Sequence, residues 1–301
     1  MSLLVTGSIG IDDLKTPLGE AKGVYGGSAV HFSLAARLFA PVRFVGVVGE
    51  DFPPAFRAYL EGLGLELSGL EVRTGSKTFR WSGSYDEVTS DAETVEVALN
   101  VLAETGPKVP DAYADSRYVF LAATHPALQS DFIDQLKAPR LIVADTRDLW
   151  IHNERNALLH TLKQVTGAIL NDVEALLFTG KNNLVLAGRR ILEWGPKFVV
   201  IKKGQHGVML VTKDQVAVLP AYPTTQVKDP TGAGDSFAGG MMGYLASVDD
   251  LGFDALRNGL ARGTITASYT IEDFSTRCIE TITLADVDRR LDEYKTMLRI
   301  T

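Results

Sequence analysis

Residues 229–245 read DPTGAGDSFAGGMMGYL and join a glycine-rich turn to the start of a helix. Gly232, Ala233 and Gly234 carry little or no side chain, so their backbone N–H groups can approach an anion closely, and the helix start adds positive potential. Asp235 would lie beside that anion, where a carboxylate can accept the proton of an attacking hydroxyl. The stretch predicts a phosphate-binding turn with a general base, and an ordinary helix cap is the alternative.

The length and charge of the chain narrow the possible classes of protein. Its 301 residues can bury a substantial core, and no shift in composition divides them, so we expect a single domain over 1–301. The 37 acidic residues outnumber the 30 basic ones, and the basic residues are scattered, which argues against nucleic acid as a partner. Cys278 is the only cysteine, and charges interrupt every apolar run. We expect a cytoplasmic location and no membrane partner.

Short apolar segments alternate with helical patterns over most of the chain. This alternation predicts an α/β fold in which helices cover both faces of a mainly parallel central sheet, as in a three-layer α/β/α sandwich. Six segments are predicted to be its parallel strands: 3–6, 44–48, 118–121, 141–144, 168–170 and 198–201. Segments 208–211 and 216–219 then predict an antiparallel pair at one edge of the sheet.

Residues 77–102 break the alternation and read as two strands with a period of two. Each strand carries apolar side chains on one face: Phe79, Trp81 and Tyr85 on the first, and Val95, Val97, Leu99 and Val101 on the second. Gly83, Ser84 and the acidic stretch 86–93 would form the bend. Because a two-stranded arm is marginal by itself, its apolar face must meet the sheet edge, a second protomer or a bound substrate. We interpret the arm as a lid, and a hairpin packed on its own domain is the alternative.

Two segments near the N-terminus lie where an open parallel sheet forms its ligand crevice. Residues 7–13, GSIGIDD, follow the first predicted strand, and a carboxylate there, Asp12 or Asp13, could accept hydrogen bonds from a sugar diol. An exposed turn carboxylate is the simpler interpretation. Residues 26–31, GGSAVH, place a double glycine at the start of a helix, where Ser28 could serve simply as the N-cap.

Two later segments suit a nucleotide and its metal ion. Asn171 and Glu174 follow a predicted strand and share one side of the first turn of a helix, where they could hold a water-coordinated Mg²⁺. The same pair also makes an ordinary helix cap. Residues 201–207, IKKGQHG, run from a strand into a glycine turn, so Lys202 could reach a nucleotide phosphate. A hairpin with solvated lysines is the alternative.

These motifs together resemble those of the ribokinase-like, or phosphofructokinase-B-type (PfkB), family of carbohydrate and nucleoside kinases, over essentially the whole chain. Residues 229–235 are similar to the family's highly specific C-terminal signature, and residues 26–51 are similar to its N-terminal signature. Residues 171–174 are similar to its Asn-x-x-Glu metal motif. The resemblance implies a ribokinase-like fold with a small β-strand lid formed by about 11–22 and 71–104.

The resemblance also implies a role for each motif. For catalysis it implies a general base, Asp235, and an anion hole for the migrating phosphoryl group, formed by Gly232, Ala233 and Gly234. For the substrate it implies four binding residues: Asp12, Gly26, Gly27 and His31. For ATP it implies four residues on the nucleotide side: Lys202, Gly204, Gly207 and Thr231. For metals it implies Asn171 and Glu174 around Mg²⁺, through water, and Asp229 with Thr231 beside a monovalent cation such as K⁺.

Two positions depart from the family's pattern. His31 stands where many sugar kinases of the family carry an asparagine, and Gly10 lacks the polar side chain of ribokinase-type members. Both departures argue against ribose as the substrate. The aromatic residues Phe79, Trp81 and Tyr85 could stack on a nucleobase or serve the packing of the lid.

The activity implied by the resemblance is ATP-dependent phosphorylation of a hydroxymethyl group of a sugar or sugar derivative. A nucleoside kinase is the alternative within enzymes. A catalytically idle sugar- or nucleotide-binding sensor is the alternative in another class, although an intact Asp235 argues against it. A homodimer formed through the lid is a further expectation.

Overall fold

Two β-sheets organise the chain, of which the computed structural model describes residues 1–86 and 92–299. The thirteen strands within these residues are, in chain order, β1 (Leu3–Thr6), β2 (Gly10–Thr16), β3 (Gly19–Gly26), β4 (Val42–Gly49), β5 (Glu66–Arg73), β6 (Phe79–Ser84), β7 (Glu93–Ala98), β8 (Tyr118–Leu121), β9 (Leu141–Asp145), β10 (Gly167–Asn171), β11 (Phe198–Lys202), β12 (Val208–Thr212) and β13 (Val216–Leu219). Nine of them form a large sheet and four form a smaller one.

Ten α-helices lie within the same residues. They are α1 (Ser28–Ala36), α2 (Pro54–Gly62), α3 (Pro126–Ile133), α4 (Asp148–Asn153), α5 (Arg155–Leu162), α6 (Asp172–Thr179), α7 (Leu184–Leu192), α8 (Ala233–Val248), α9 (Phe253–Thr270) and α10 (Leu284–Met297). None of these helices, in the part of the chain that the structure describes, combines the length and hydropathy that a bilayer span requires.

The large sheet has the strand order β13-β12-β11-β10-β9-β8-β1-β4-β5. Strands β11 through β5 run parallel, whereas β12 and β13 are antiparallel at one edge. The side chains of β1 and β8 are buried on both faces of the sheet, as a continuous apolar run requires. The predicted parallel strands and the antiparallel edge pair are confirmed.

Helices cover both faces of this sheet and complete the three layers. Helices α1, α8, α9 and α10 contribute to the core on one face, and α3, α5, α6 and α7 contribute to the core on the other. Contacts between α8 and each of its neighbours α1 and α9 are close because glycines line them. A Cβ atom on Gly239, for example, would lie 2.2 Å from the carbonyl oxygen of Phe32. The predicted α/β/α sandwich is therefore confirmed.

The smaller sheet, which we call the lid sheet, has the order β3-β2-β6-β7. Two antiparallel hairpins, β2–β3 and β6–β7, join through a parallel pairing of β2 with β6. Neither β2 nor β3 is among the strands predicted above, although the family resemblance includes about 11–22 in the lid. Gly83 and Ser84 belong to β6, so the prediction that they form part of the bend is wrong. The rest of the predicted bend, 86–93, lies largely outside the described residues.

The second strand of the arm is shorter than predicted. Strand β7 ends at Ala98, and Asn100–Ala103 form a 3₁₀ turn, so the prediction that Leu99 and Val101 continue the strand is wrong. Asn100 has a φ of 49° and donates a hydrogen bond from Nδ2 to the Thr78 carbonyl oxygen at 2.8 Å, which turns the chain. Val101 consequently enters the core, while Val95 stays 67% exposed.

Candidate active site

The carboxyl edge of the large sheet and the lid sheet meet around residues 229–234, which we call the glycine turn. Gly232 is the N-cap of α8 and has a φ of 74°, a left-handed conformation that glycine adopts without strain. The buried residues Phe237, Met241 and Leu245 anchor the helix on the sheet. Because the first N–H groups of a helix have no acceptor within it, the N–H of Gly234 can bind an anion.

Asp235 lies in the first turn of α8, half-buried. Burial and the nearby charge of Asp145 raise its pKa to about 6, although the positive charges of Lys202 and Arg147 oppose the shift. A carboxylate with a pKa slightly below neutral is ionised at pH 7 and still able to accept a proton, which suits a general base.

Lys202 ends strand β11 beside the glycine turn. Its Nζ donates a hydrogen bond to Asp145 Oδ2 at 2.9 Å, and a Cβ atom on Gly234 would lie 3.0 Å from the same Nζ. Burial would lower the pKa of Lys202, but the negative charges of Asp145 and Glu174 outweigh burial and raise it. The ammonium therefore stays charged next to the N–H groups of the turn.

Asn171 and Glu174 form a capping box at the start of α6. The Glu174 N–H donates to Asn171 Oδ1, and the Asn171 N–H donates to Glu174 Oε2, both at 2.7 Å. The capping alternative is thus confirmed. Burial, together with the charge of Asp145, raises the pKa of Glu174 to about 7.

The donors in this region fit a Mg²⁺ ion that keeps most of its water. Among the residues that the structure describes, no group of three or more His, Cys, Asp or Glu side chains is arranged to hold a metal ion directly. Mg²⁺ at nucleotide sites is commonly bound by phosphates and water with one or two carboxylates. The buried Glu174 carboxyl can supply one such contact through water.

Asp12 belongs to β2 of the lid sheet and is 3% exposed, so the interpretation as an exposed turn carboxylate is wrong. Its Oδ1 has no hydrogen-bond partner among the described residues. A Cβ atom on Gly26 would lie 1.9 Å from Asp12 Oδ2, so only glycine leaves room for the carboxyl group. Burial, then the charges of Asp229 and Asp13, raise the pKa of Asp12 to about 7.

His31 lies in α1 with its ring against the glycine turn. The side chain is 1% exposed, and neither Nδ1 nor Nε2 finds a hydrogen-bond partner within residues 1–86 and 92–299. Burial lowers its pKa to about 4, so the imidazole is neutral at pH 7. A Cβ atom on Gly232 would lie 2.3 Å from its ring. His31 is therefore a buried histidine with free hydrogen-bonding capacity.

Gly27, rather than Ser28, is the N-cap of α1, so the N-cap interpretation of Ser28 is wrong. The φ of Gly27 is 102°, and a Cβ atom there would lie 2.4 Å from the carbonyl oxygen of Ser8. The Ser28 N–H donates to Ser8 Oγ at 2.9 Å, and the Ser8 N–H donates to Ser28 Oγ at 3.0 Å. This exchange fixes the double glycine against the segment that precedes Asp12.

Asp229 organises the backbone of the glycine turn. The carboxylate is fully buried and accepts hydrogen bonds from the N–H of Thr231 at 2.9 Å and from the N–H of Ser275 at 2.8 Å. Burial raises its pKa. Its role beside a monovalent cation stays a prediction.

Gly204 and Gly207 form the turn between β11 and β12. Their φ angles are 52° and 85°, and a Cβ atom on Gly207 would lie 2.0 Å from the carbonyl oxygen of Leu219. The hairpin itself therefore requires Gly207, whereas the φ of Gly204 is one that Ala138 and Ser275 also adopt. The contact of the two turn glycines with a nucleotide stays a prediction.

Asp145 and Arg147 belong to the site but were not among the predicted residues. Asp145 ends β9 and is 4% exposed, and Arg147 is an exposed N-cap of α4 whose charge acts on both Asp235 and Glu174. Their position in the sequence could have identified both, because they directly follow the predicted strand 141–144 and therefore lie at the edge of the sheet that carries the other site residues.

The comparison with known proteins decides the family. The model of the pfkB family of carbohydrate kinases matches residues 12–282. The chain belongs to this family. As a pfkB kinase it is a phosphotransferase with an alcohol group as acceptor, and kinases of this family use ATP.

Its relatives include nucleoside and sugar kinases. The chain is 32% identical over 251 residues to the cytidine kinase of Thermococcus kodakarensis, an alignment that covers 81% of this chain and 88% of the relative. It is 26% identical over 300 residues to the 5-dehydro-2-deoxygluconokinase of Photobacterium profundum, covering 89% of each.

A solved structure supports the fold. A candidate ribokinase II from E. coli, determined in complex with ATP and Mg²⁺, superposes with a TM-score of 0.77 at 20% identity. The superposition covers 97% of this chain and 100% of that one. The ribokinase-like fold expected from the sequence is confirmed.

Proposed function

We propose that this pfkB kinase transfers the γ-phosphoryl group of ATP to the hydroxymethyl group of a nucleoside, with the lid sheet covering the substrate. The observation that carries the chemistry is the position of Asp235, an ionised carboxylate in the first turn of α8 directly after the glycine turn. The 32% identity to a cytidine kinase favours a nucleoside over a free sugar.

The acceptor side of the proposal rests on two buried polar groups without partners among the described residues, Asp12 Oδ1 and the imidazole of His31. Leaving such groups unpaired costs about 1–3 kcal/mol each, which a substrate that bonds to them recovers. The hydroxyls of a ribose ring can donate to Asp12, and the neutral His31 can both donate and accept. Gly26 leaves room for the Asp12 carboxyl group, and Gly27 lets the start of α1 approach the Ser8 backbone.

The transfer step follows from the groups around Asp235. The hydroxymethyl oxygen forms a bond to the γ-phosphorus while the bond from that phosphorus to the β,γ-bridging oxygen breaks, and the hydroxyl proton passes to Asp235. The N–H groups of Gly232 and Gly234 and the cations of Lys202 and Arg147 stabilise the negative charge on the phosphoryl oxygens. The Ala233 N–H, which was predicted to take part, donates instead to the Pro230 carbonyl oxygen at 3.2 Å. Asn171 and Glu174 would hold Mg²⁺ through water, and the ion would neutralise phosphate charge.

A panel of acceptors with ATP tests the proposal by the rate of ADP release. The panel contains cytidine, adenosine, inosine, ribose, fructose and fructose 6-phosphate. We expect kcat/KM to be higher for at least one nucleoside than for any sugar. A higher value for a sugar would support the second candidate, a sugar kinase, for which the 26% identity to a 5-dehydro-2-deoxygluconokinase is the specific observation. Ligand binding without turnover would instead favour the sensor.

The acceptor KM is expected to depend on pH through Asp12. Substrate hydroxyls donate hydrogen bonds to the ionised form of this carboxyl, whose pKa without substrate is about 7. Binding therefore favours loss of a proton, and KM rises as the pH falls below 7. We expect KM at pH 6 to be about tenfold higher than at pH 8.

Initial rates between pH 5.5 and 8.5 check this expectation. The kcat profile should fall separately, toward pH 6, because Asp235 loses its ability to accept a proton there. A KM that stays constant across this range would contradict the assignment of Asp12 to substrate binding.

The homodimer through the lid remains part of the proposal. Val95, Val97 and Leu99 are 67%, 51% and 41% exposed along one part of the lid. A second protomer would bury this apolar surface. Sedimentation equilibrium is expected to give twice the mass of one chain, and a monomer at all concentrations would contradict the dimer.

A further inference from the structure

Tyr85 is a buried polar residue whose place in the fold differs from that of the other lid aromatics. It follows β6 directly, and its N–H donates to the carbonyl oxygen of Lys15 at 2.9 Å, which fixes it to the end of β2. Although it carries a hydroxyl, the residue is only 7% exposed. Its side chain points away from solvent, toward the core of the kinase.

The hydroxyl of Tyr85 is the start of a hydrogen-bond chain into the glycine turn. It lies 2.8 Å from Thr231 Oγ1, and the N–H of Thr231 donates to Asp229 Oδ1 at 2.9 Å. The residue after Thr231 is Gly232, whose left-handed φ of 74° sets the direction of the following N–H groups. A lid side chain is thus bonded to the residue that precedes the N-cap of α8.

The lid has other contacts with the core, both polar and apolar: Ser275 Oγ donates to the Tyr25 carbonyl oxygen, and Arg80 pairs with Asp51. Trp81 packs with Leu14 and Ala21 of the lid on Phe274, in a small apolar cluster that holds the sheet without directing any polar group. A hydrogen bond, in contrast, requires a defined distance and angle. Burial and the charges of Asp229 and Asp12 raise the pKa of Tyr85, although the hydrogen bond with Thr231 and the charge of Arg147 oppose the shift, so the phenol keeps its proton.

We propose that Tyr85 is a positioning residue that couples the lid to the glycine turn: its bond to Thr231 holds the turn in its phosphate-binding form while the lid is closed. The effect on turnover rests on the proposed function, whereas the effect on the turn does not. Loss of the hydroxyl then loosens the N–H groups of residues 232–234 and slows phosphoryl transfer more than it weakens acceptor binding.

Hydrogen exchange of the purified full chain tests the coupling without any acceptor. In Tyr85→Phe, the ring stays and only the hydroxyl is lost. We expect a peptide containing residues 229–236 to take up deuterium at least about threefold faster than in the wild type. The matched control is Thr94→Val, which removes the hydrogen bond from Trp81 Nε1 to Thr94 Oγ1 within the same sheet and should leave that peptide unchanged. Unchanged exchange in Tyr85→Phe would overturn the proposal.

Kinetics with the best acceptor provide the second readout. We expect Tyr85→Phe to lower kcat about tenfold, because one neutral hydrogen bond is lost. The KM for the acceptor should change less than about threefold. In a Thr231→Val background, Tyr85→Phe should not lower kcat any further. If the two substitutions lower kcat additively, or if Tyr85→Phe raises the acceptor KM and leaves kcat unchanged, the proposed coupling is overturned. If no acceptor is phosphorylated, the proposed function fails, and hydrogen exchange alone decides the role of Tyr85.

Discussion

Replacing Asp235 with asparagine is expected to reduce kcat at least about a hundredfold, while the affinity for ATP changes less than about twofold. Asparagine has nearly the same shape but cannot accept a proton from the attacking hydroxyl. The glycine turn precedes the substituted position and keeps its conformation, because Gly232 and Asp229 rather than Asp235 define it. Steady-state rates and the dissociation constant of ATP measure the two effects separately.

Asp254→Asn is the matched control for this substitution. Asp254 lies in the first turn of α9 as Asp235 lies in the first turn of α8, so both changes remove a negative charge from the first turn of a helix. The Asp254 side chain is 88% exposed and pairs with Arg257 on its own helix. We expect Asp254→Asn to leave kcat unchanged. Near-normal turnover in Asp235→Asn would contradict its role as the base.

Replacing Gly26 with alanine is expected to raise the KM for the acceptor at least about a hundredfold, a loss of the size expected when a site with buried polar groups can no longer pair with its substrate. Gly26 ends β3 of the lid sheet. The new Cβ atom would lie 1.9 Å from Asp12 Oδ2 and 2.5 Å from its Cγ, distances that force the carboxyl group to move. Overpacking of this kind also costs about 1–3 kcal/mol of unfolding free energy.

Gly62→Ala is the control for the added methyl group. Gly62 ends α2, and a Cβ atom there meets nothing within 4 Å. We expect this variant to keep the wild-type KM and to gain up to about 0.5–1 kcal/mol of stability from the higher helix propensity of alanine. ATP binding shows whether Gly26→Ala is still folded. A folded Gly26→Ala variant with an unchanged acceptor KM would contradict the placement of substrate beside Asp12.

The large sheet was predictable because its central strands are buried on both faces and read as continuous apolar runs. Strand β5 at the far edge was missed because Gly69 and charged residues interrupt the apolar pattern of its sequence, ELSGLEVR. Strands β2 and β3 were missed for a functional reason. Strand β2 reads GIDDLKT and carries the buried Asp12, and β3 reads GEAKGVYG, so neither shows a regular alternation of apolar residues.

The site residues likewise differ in whether the sequence alone reveals them. Asp229 and Asp235 occur in one short motif, so the sequence reveals them together. Asp145 lies 57 residues before Lys202 and becomes its partner only because β9 and β11 end at the same edge of the sheet. The burial of His31, and the absence of a partner for its ring within the described residues, likewise depend on packing between α1 and the glycine turn. No local pattern carries such information.

The position of the phosphate on the product tests transfer to a hydroxymethyl group most directly. With ATP and the preferred acceptor, we expect, besides the signals of ADP, one new ³¹P resonance that is split into a triplet by the two protons of the hydroxymethyl carbon. The Asp235→Asn variant should produce this signal at least about a hundredfold more slowly. A product phosphorus coupled to a single ring proton, or the appearance of free phosphate alone, would contradict the proposed reaction.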